Sequence, residues 1–130
     1  MSDRPVHVIL DASAVVAFTR GSIHVGETIA EVADEQAAAG LPVLCLVQAA
    51  PAIADRDRLD ILLRHGATTL LDVEAVDWAV LAALHGTVGR LDAATAVIAA
   101  YDAGAQILTS QPGLYAGLFG GGPVIGFPPA

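Results

Sequence analysis

Asp11, Ser13, Gln48, Asp72, Asp92 and Ser110 are the residues of this chain whose types and places could support chemistry. Asp11 closes an apolar run and Ser13 follows it by two, so a carboxylate and a hydroxyl stand together at the end of a strand. Such a pair is either part of an acidic site or the cap of the short helix that follows. Asp92 opens a helical pattern, where Asp is also a common N-cap. Gln48, Asp72 and Ser110 each come directly after an apolar run. In an open parallel sheet, ligands bind in the crevice at the carboxyl ends of the strands. These positions therefore share one rim if the runs are parallel strands, and Asp92 joins them if its helix starts there.

The elements that must position them alternate along the chain. Residues 6–10, 43–47, 68–71 and 106–109 read as buried strands, with residues 124–127 as a fifth at the edge. Between them lie a short helical turn over 13–18 and a helix carrying Val25, Ile29, Val32 and Ala33, closed by Gly40 and Pro42. A short helix with Leu59, Leu62 and Leu63 ends at Gly66, and one with Val76, Val80, Ala83 and Leu84 ends at Gly86. A last helix, with Ala94, Val97, Ile98 and Tyr101, runs from Asp92 to Gly104. Strands that are continuous Val/Ile/Leu runs alternating with helices predict an α/β fold, a parallel sheet of four to five strands with helices on both faces. Residues 1–130 form a single domain, with 119–130 a Gly/Pro-rich loop and edge strand. The Gly120-Gly121-Gly122 run lacks the spacing of a phosphate-binding loop.

Composition narrows the function. Hydrophobic residues make up 55% of the chain, above the usual level of roughly 45–50%, and much of the excess is alanine, which leaves apolar surface for a partner subunit. The net charge is −8, there is no lysine, and six arginines carry all the fixed positive charge. Clustered Lys/Arg is what binds phosphate backbones, so tight non-specific nucleic-acid binding is disfavoured. The absent lysine also excludes a phosphoacceptor receiver built on Asp11 and Thr109. No stretch approaches the roughly 18 apolar residues of a membrane span, and no signal-peptide layout is visible, so a cytoplasmic protein is expected. Cys45, the single cysteine, reads as a buried thiol inside the 43–47 strand. The four histidines are scattered without metal-ligand spacing. Asp55, Asp57 and Asp60, with Arg56 and Arg58, read as a solvated helix start with local ion pairs. Trp78 lies opposite the Val76–Val80 stripe and is an interface marker unless a loop covers it.

Four segments in order resemble a known family. Val-Ile-Leu-Asp11-Ala-Ser13-Ala-Val-Val is similar to the opening motif of PIN domains, and Pro42-Val-Leu-Cys-Leu-Val47 to their second strand. Leu91-Asp92-Ala-Ala-Thr-Ala-Val-Ile-Ala-Ala-Tyr101 resembles the late helix and Gln106-Ile-Leu-Thr109 the strand after it. The likeness spans about residues 6 to 118 and is closest to the VapC type, the toxins of bacterial toxin–antitoxin pairs. It implies an endoribonuclease whose four acidic side chains hold Mg²⁺ or Mn²⁺, the ion activating water for attack on a phosphodiester. By position Asp11 is the first acid, supported by Ser13, and Asp92 the third. The second position, a Glu in the family, holds Gln48, and the fourth, an Asp, holds Ser110.

Those departures lower the formal charge of the four positions from −4 to −2. A hard divalent ion wants anionic oxygen, so the expectation is weak or absent metal binding at Asp11 and Asp92. Asp72 is a candidate replacement acid. The expected protein is a PIN-fold member with an incomplete metal site, working by binding: a homodimer, with an antitoxin-like protein as a further partner. RNA as a partner is not favoured by the net charge. The alternative is a surviving, weak ribonuclease.

Overall fold

The computed structural model describes residues 4–129. Strand β1 (Val6–Leu10) enters the core at once, with Val8, Ile9 and Leu10 buried. Helix α1 (Ala12–Thr19) follows, and then α2 (Ile23–Asp34), which Ser22 caps by accepting a hydrogen bond from the Val25 amide. Strand β2 (Ala38–Pro42) leads straight into helix α3 (Val43–Ala49), and helix α4 (Arg56–Arg64) precedes strand β3 (Thr68–Leu71). Helices α5 (Trp78–Val88) and α6 (Leu91–Ala103) lead to β4 (Gln106–Thr109), and β5 (Val124–Gly126) closes the edge.

All five strands are parallel, in the order β3-β2-β1-β4-β5. The connections step outward from β1 to β3, then return past β1 to β4. The right-handed rule puts the β1–β2 and β2–β3 crossovers on one face and α5 and α6 on the other, while α3, leaving the carboxyl end of β2, packs against both α1 and α6. The direction reverses between β1 and β4, which makes the carboxyl ends of those two strands the topological switch point, the place where such sheets bind ligands. The α/β class and the parallel sheet flanked by helices are as the sequence predicts.

One element differs from its expectation. Residues 43–47 are helix, and the second strand lies earlier, over 38–42. An apolar run of five residues is equally a buried strand or a buried helix turn, and periodicity alone cannot separate them. Gly40 and Pro42 therefore do not close α2. That helix ends at Glu35, with Gln36 in the left-handed region at φ 57° and the Ala37 amide donating back to the Val32 carbonyl. Gly86 likewise does not end α5. It lies inside the helix, which runs to Val88 and closes on Gly89 at φ 79°.

Small residues set the close packing around the sheet. On the core side of α6, Ala93, Ala94, Ala96 and Ala100 are buried beside Val97. A Cβ on Gly40 would fall 2.8 Å from Leu71 Cδ1 and 3.0 Å from Ile9 Cδ1. Each fully buried Leu or Ile, such as Ile9, Leu10, Leu41 and Ile107, contributes about 1.5–3 kcal/mol over exposure. Asp55 caps α4 through the Arg58 amide and pairs with the Arg58 guanidinium at 3.5 Å, as a solvated helix start should. Helix α5 touches the body through Leu81, Leu84 and Val88, whereas Val76, in the turn before it, and Trp78 and Val80 face outward. Val76 and Val80 are thus not its buried stripe. Among the described residues, no helix is long and apolar enough to cross a membrane.

Candidate functional site

The Asp11 carboxylate stands where β1 becomes α1, only 2% exposed. Its Oδ1 accepts from the Ala14 amide at 3.1 Å, so it does cap α1, and from the Ser13 hydroxyl at 2.6 Å. Its Oδ2 accepts from the Tyr115 hydroxyl at 2.8 Å. Cap and rim residue are therefore one and the same. The positive end of the α1 dipole favours the negative charge held there.

Ser13 ties β1 to β4. Its hydroxyl oxygen accepts from the Ser110 amide at 2.9 Å and lies 3.3 Å from the Thr109 hydroxyl. Ser110 is thereby fixed at the carboxyl end of β4, its side chain facing the same cavity as Ser13. Gln48, in the last turn of α3 rather than directly after a strand, faces this cavity too. The misplaced second strand did not misplace the residue.

Asp92 lies in the first turn of α6, with Arg90 at the cap position, so it is not the N-cap its sequence context allowed. The Arg90 guanidinium holds it in a two-pronged pair, Nε donating to Oδ1 at 3.1 Å and Nη2 to Oδ2 at 2.8 Å. Asp92 is buried, while about a third of Arg90 is exposed to the cavity. The hydrogen bonds from Arg90 to Asp92 hold the guanidinium charge more firmly than usual. The Asp92 carbonyl accepts from the Thr95 hydroxyl at 2.6 Å and from the Cys45 thiol at 3.3 Å. Burial, then the Asp11 and Asp92 charges, push that thiol far above its ordinary range. Cys45 is thus a buried structural thiol, in a helix rather than a strand. The same causes, burial first and then Asp11, push the Tyr115 phenol up as well. The charges of both Asp11 and Asp92 act on that thiol and that phenol.

The cavity has a volume of about 310 Å³ and is lined by Ser13, Arg20, Gln48, Arg90, Ser110 and Gln111 on its polar side, with Ala12, Val16 and Pro129 among the rest. Asp72 does not join it. That residue lines a different cavity of about 300 Å³, beside Leu71, Leu81 and Ile98, with Glu74, Asp77 and Asp102.

The donor set does not fit a hard divalent cation. Mg²⁺ and Ca²⁺ take carboxylate oxygens that are free to turn toward them. Here every carboxylate oxygen of Asp11 and Asp92 is already engaged, and a guanidinium sits where a cation would serve Asp92. No group of three or more His, Cys, Asp or Glu side chains suited to a metal occurs among the described residues.

Arg90 and Tyr115 are the two members the sequence reading does not find. Arg90 had a signal, since it precedes Asp92 by two residues at a helix start. Tyr115 had none, being 104 residues from the carboxylate it serves.

No protein-family model matches the chain, and no curated protein matches it. Among solved structures, the crystal structure of PAE2754 from Pyrobaculum aerophilum is similar over 92% of this chain and 90% of that one, with a TM-score of 0.63 and 16% identity. That likeness shows the fold.

Proposed function

We propose that this is a PIN-fold protein of the VapC-toxin kind whose metal site has been replaced by internal pairing, and that it works by binding rather than by cutting RNA. The observation that carries the reading is the two-pronged Arg90–Asp92 pair, beside an Asp11 whose two oxygens accept from Ser13, Ala14 and Tyr115. In metal-assisted phosphodiester cleavage the protein must fix an ion before the ion can activate water. With neutral Gln48 and Ser110 at the other two positions, Mg²⁺ or Mn²⁺ gains too little charge to displace Arg90. The protein acts by association instead, as a homodimer and toward an antitoxin-like protein partner.

The test is a manganese titration with RNA cleavage measured alongside, on wild type, Asp11→Asn and the double variant Gln48→Glu with Ser110→Asp. Wild type should bind manganese weakly or not at all and leave RNA intact. The double variant restores −2 of charge and should bind the ion more tightly. Robust wild-type cleavage that Asp11→Asn abolishes would sink the reading and make the chain a ribonuclease.

A further inference from the structure

The cavity beside this site is built for the opposite charge. Half of its twelve lining residues are polar, two are arginines, and none is acidic. Two of the six arginines in a chain of net charge −8 thus face one small space. Arg90 spends Nε and one Nη2 hydrogen on Asp92, leaving three of its five N–H groups. Among the described residues, the side chains of Arg20, Gln48, Ser110 and Gln111 have no hydrogen-bond or ion-pair partner.

We propose that this cavity takes a phosphate group directly on Arg20 and Arg90, without a metal ion, with Gln48, Ser110 and Gln111 as neutral donors. The inference rests on the reading that the acidic site no longer holds a metal. Guanidinium forks match phosphate oxygens in pairs, which gives them both geometry and charge for this ligand. The charges of Asp11, Asp92, Arg20 and Arg90 sum to zero, so a cation gains nothing there, whereas an anion meets a lining of two guanidiniums and neutral donors with no acid among them. Gln48 and Ser110 act in both directions at once. An acid at either place would attract a cation and repel a phosphate; an amide and a hydroxyl can donate to one. A volume of about 310 Å³ is at the small end of ligand cavities, enough for a phosphate carrying one compact group. Inorganic phosphate, a mononucleotide and the backbone of a short RNA all present this chemistry.

The experiment is an amide and arginine side-chain NMR titration of the whole protein in EDTA, with inorganic phosphate, then 5′-AMP, then an RNA tetramer. Saturable shifts should be confined to Ser13, Arg20, Gln48, Arg90, Ser110 and Gln111. Arg20→Gln should weaken phosphate binding about tenfold, the worth of one charge-assisted contact, and Gln48→Glu should weaken it further. Arg20 and Gln48 are exposed, so both variants should melt like wild type. Tightest binding of the tetramer would assign the site to nucleic acid, and tightest binding of 5′-AMP to a free nucleotide. Absence of saturable shifts at about 10 mM phosphate, where even a millimolar Kd is nearly filled, overturns the proposal, as does binding that neither substitution weakens. Failure here with manganese also unbound removes only the phosphate site; tight manganese binding by wild type removes the reading beneath it.

Discussion

Tyr115 is fully buried, and its hydroxyl serves an equally buried carboxylate. Tyr115→Phe keeps the ring and leaves Asp11 Oδ2 one donor short. The variant should lose about 1–3 kcal/mol of stability, the cost of a buried polar group without its partner. It should also change the response to alkali. The phenol's ordinary value is 10.0 and the fold pushes it well above that. Below pH 10 the proton stays on in both states, and this contribution to stability is fully present. Above it the unfolded chain sheds the proton and the native state cannot, so stability falls by up to about 1.4 kcal/mol per pH unit. Cys45, raised from 9.0, adds a second loss of the same sign that begins one unit lower. Denaturant melts between pH 8 and 11 should show Tyr115→Phe falling less steeply than wild type; equal slopes would count against a buried neutral phenol. At this scale most of the site was in the sequence. Asp11, Gln48 and Ser110 were legible because each follows an apolar run, Ser13 because it stands two residues from Asp11, and Asp92 because it opens a helical pattern; Arg90 and Tyr115 were not read, because pairing partners are chosen by the fold.

Strand β2 and helix α3 were exchanged in the sequence reading for a reason that belongs to elements. Ala38, Ala39 and Gly40 offer no β-branched surface, whereas Val43 and Val47 do, so propensity favours the wrong segment. Burial decides the other way: all five residues of β2 are buried, while Val47 is 61% exposed. A central strand walled by Leu71, Ile9 and Val6 has room only for small side chains. Gly40→Ala therefore asks for space that is not there, with Ile9 Cδ1 and Val6 Cγ1 3.0 and 3.1 Å from the added carbon and Leu71 Cδ1 closer still. It should destabilise the protein by about 1–3 kcal/mol through overpacking, although Gly→Ala at a position with room normally stabilises by lowering the entropy of the unfolded chain. Chemical denaturation of this one variant separates the two effects by sign, and a more stable protein would show that β2 is looser than its contacts imply.

The whole molecule carries its charge unevenly, and that governs assembly. Two copies at −8 each repel, so a homodimer must meet through a face with little charge. Helix α5 is such a face: Trp-Ala-Val-Leu-Ala-Ala-Leu-His-Gly-Thr-Val contains no acid and no arginine. Trp78 and Val80 are 72% and 56% exposed on it, and Val76, in the turn before it, is 85% exposed. Alternating strands and helices made the architecture readable and Trp78 read as outward, but Val76 and Val80 did not, because the stripe expected to be buried is in solvent. Exposed large apolar residues of this kind mark an interaction surface, and a specific pair needs on the order of 1,200 Å² buried in total. Two α5 helices related by a twofold axis would meet through like surfaces with no closing ion pair. Trp78 is the single tryptophan, so its emission reports the contact directly. Light scattering should give twice the chain mass at high micromolar concentration, with tryptophan emission moving to the blue as concentration rises. Trp78→Asp should yield a monomer with an unchanged melting midpoint extrapolated to low concentration, because a side chain 72% exposed adds little to its own chain's core. A wild-type mass of one chain at high micromolar concentration would remove the dimer, and a Trp78→Asp protein that still pairs would move it to another face.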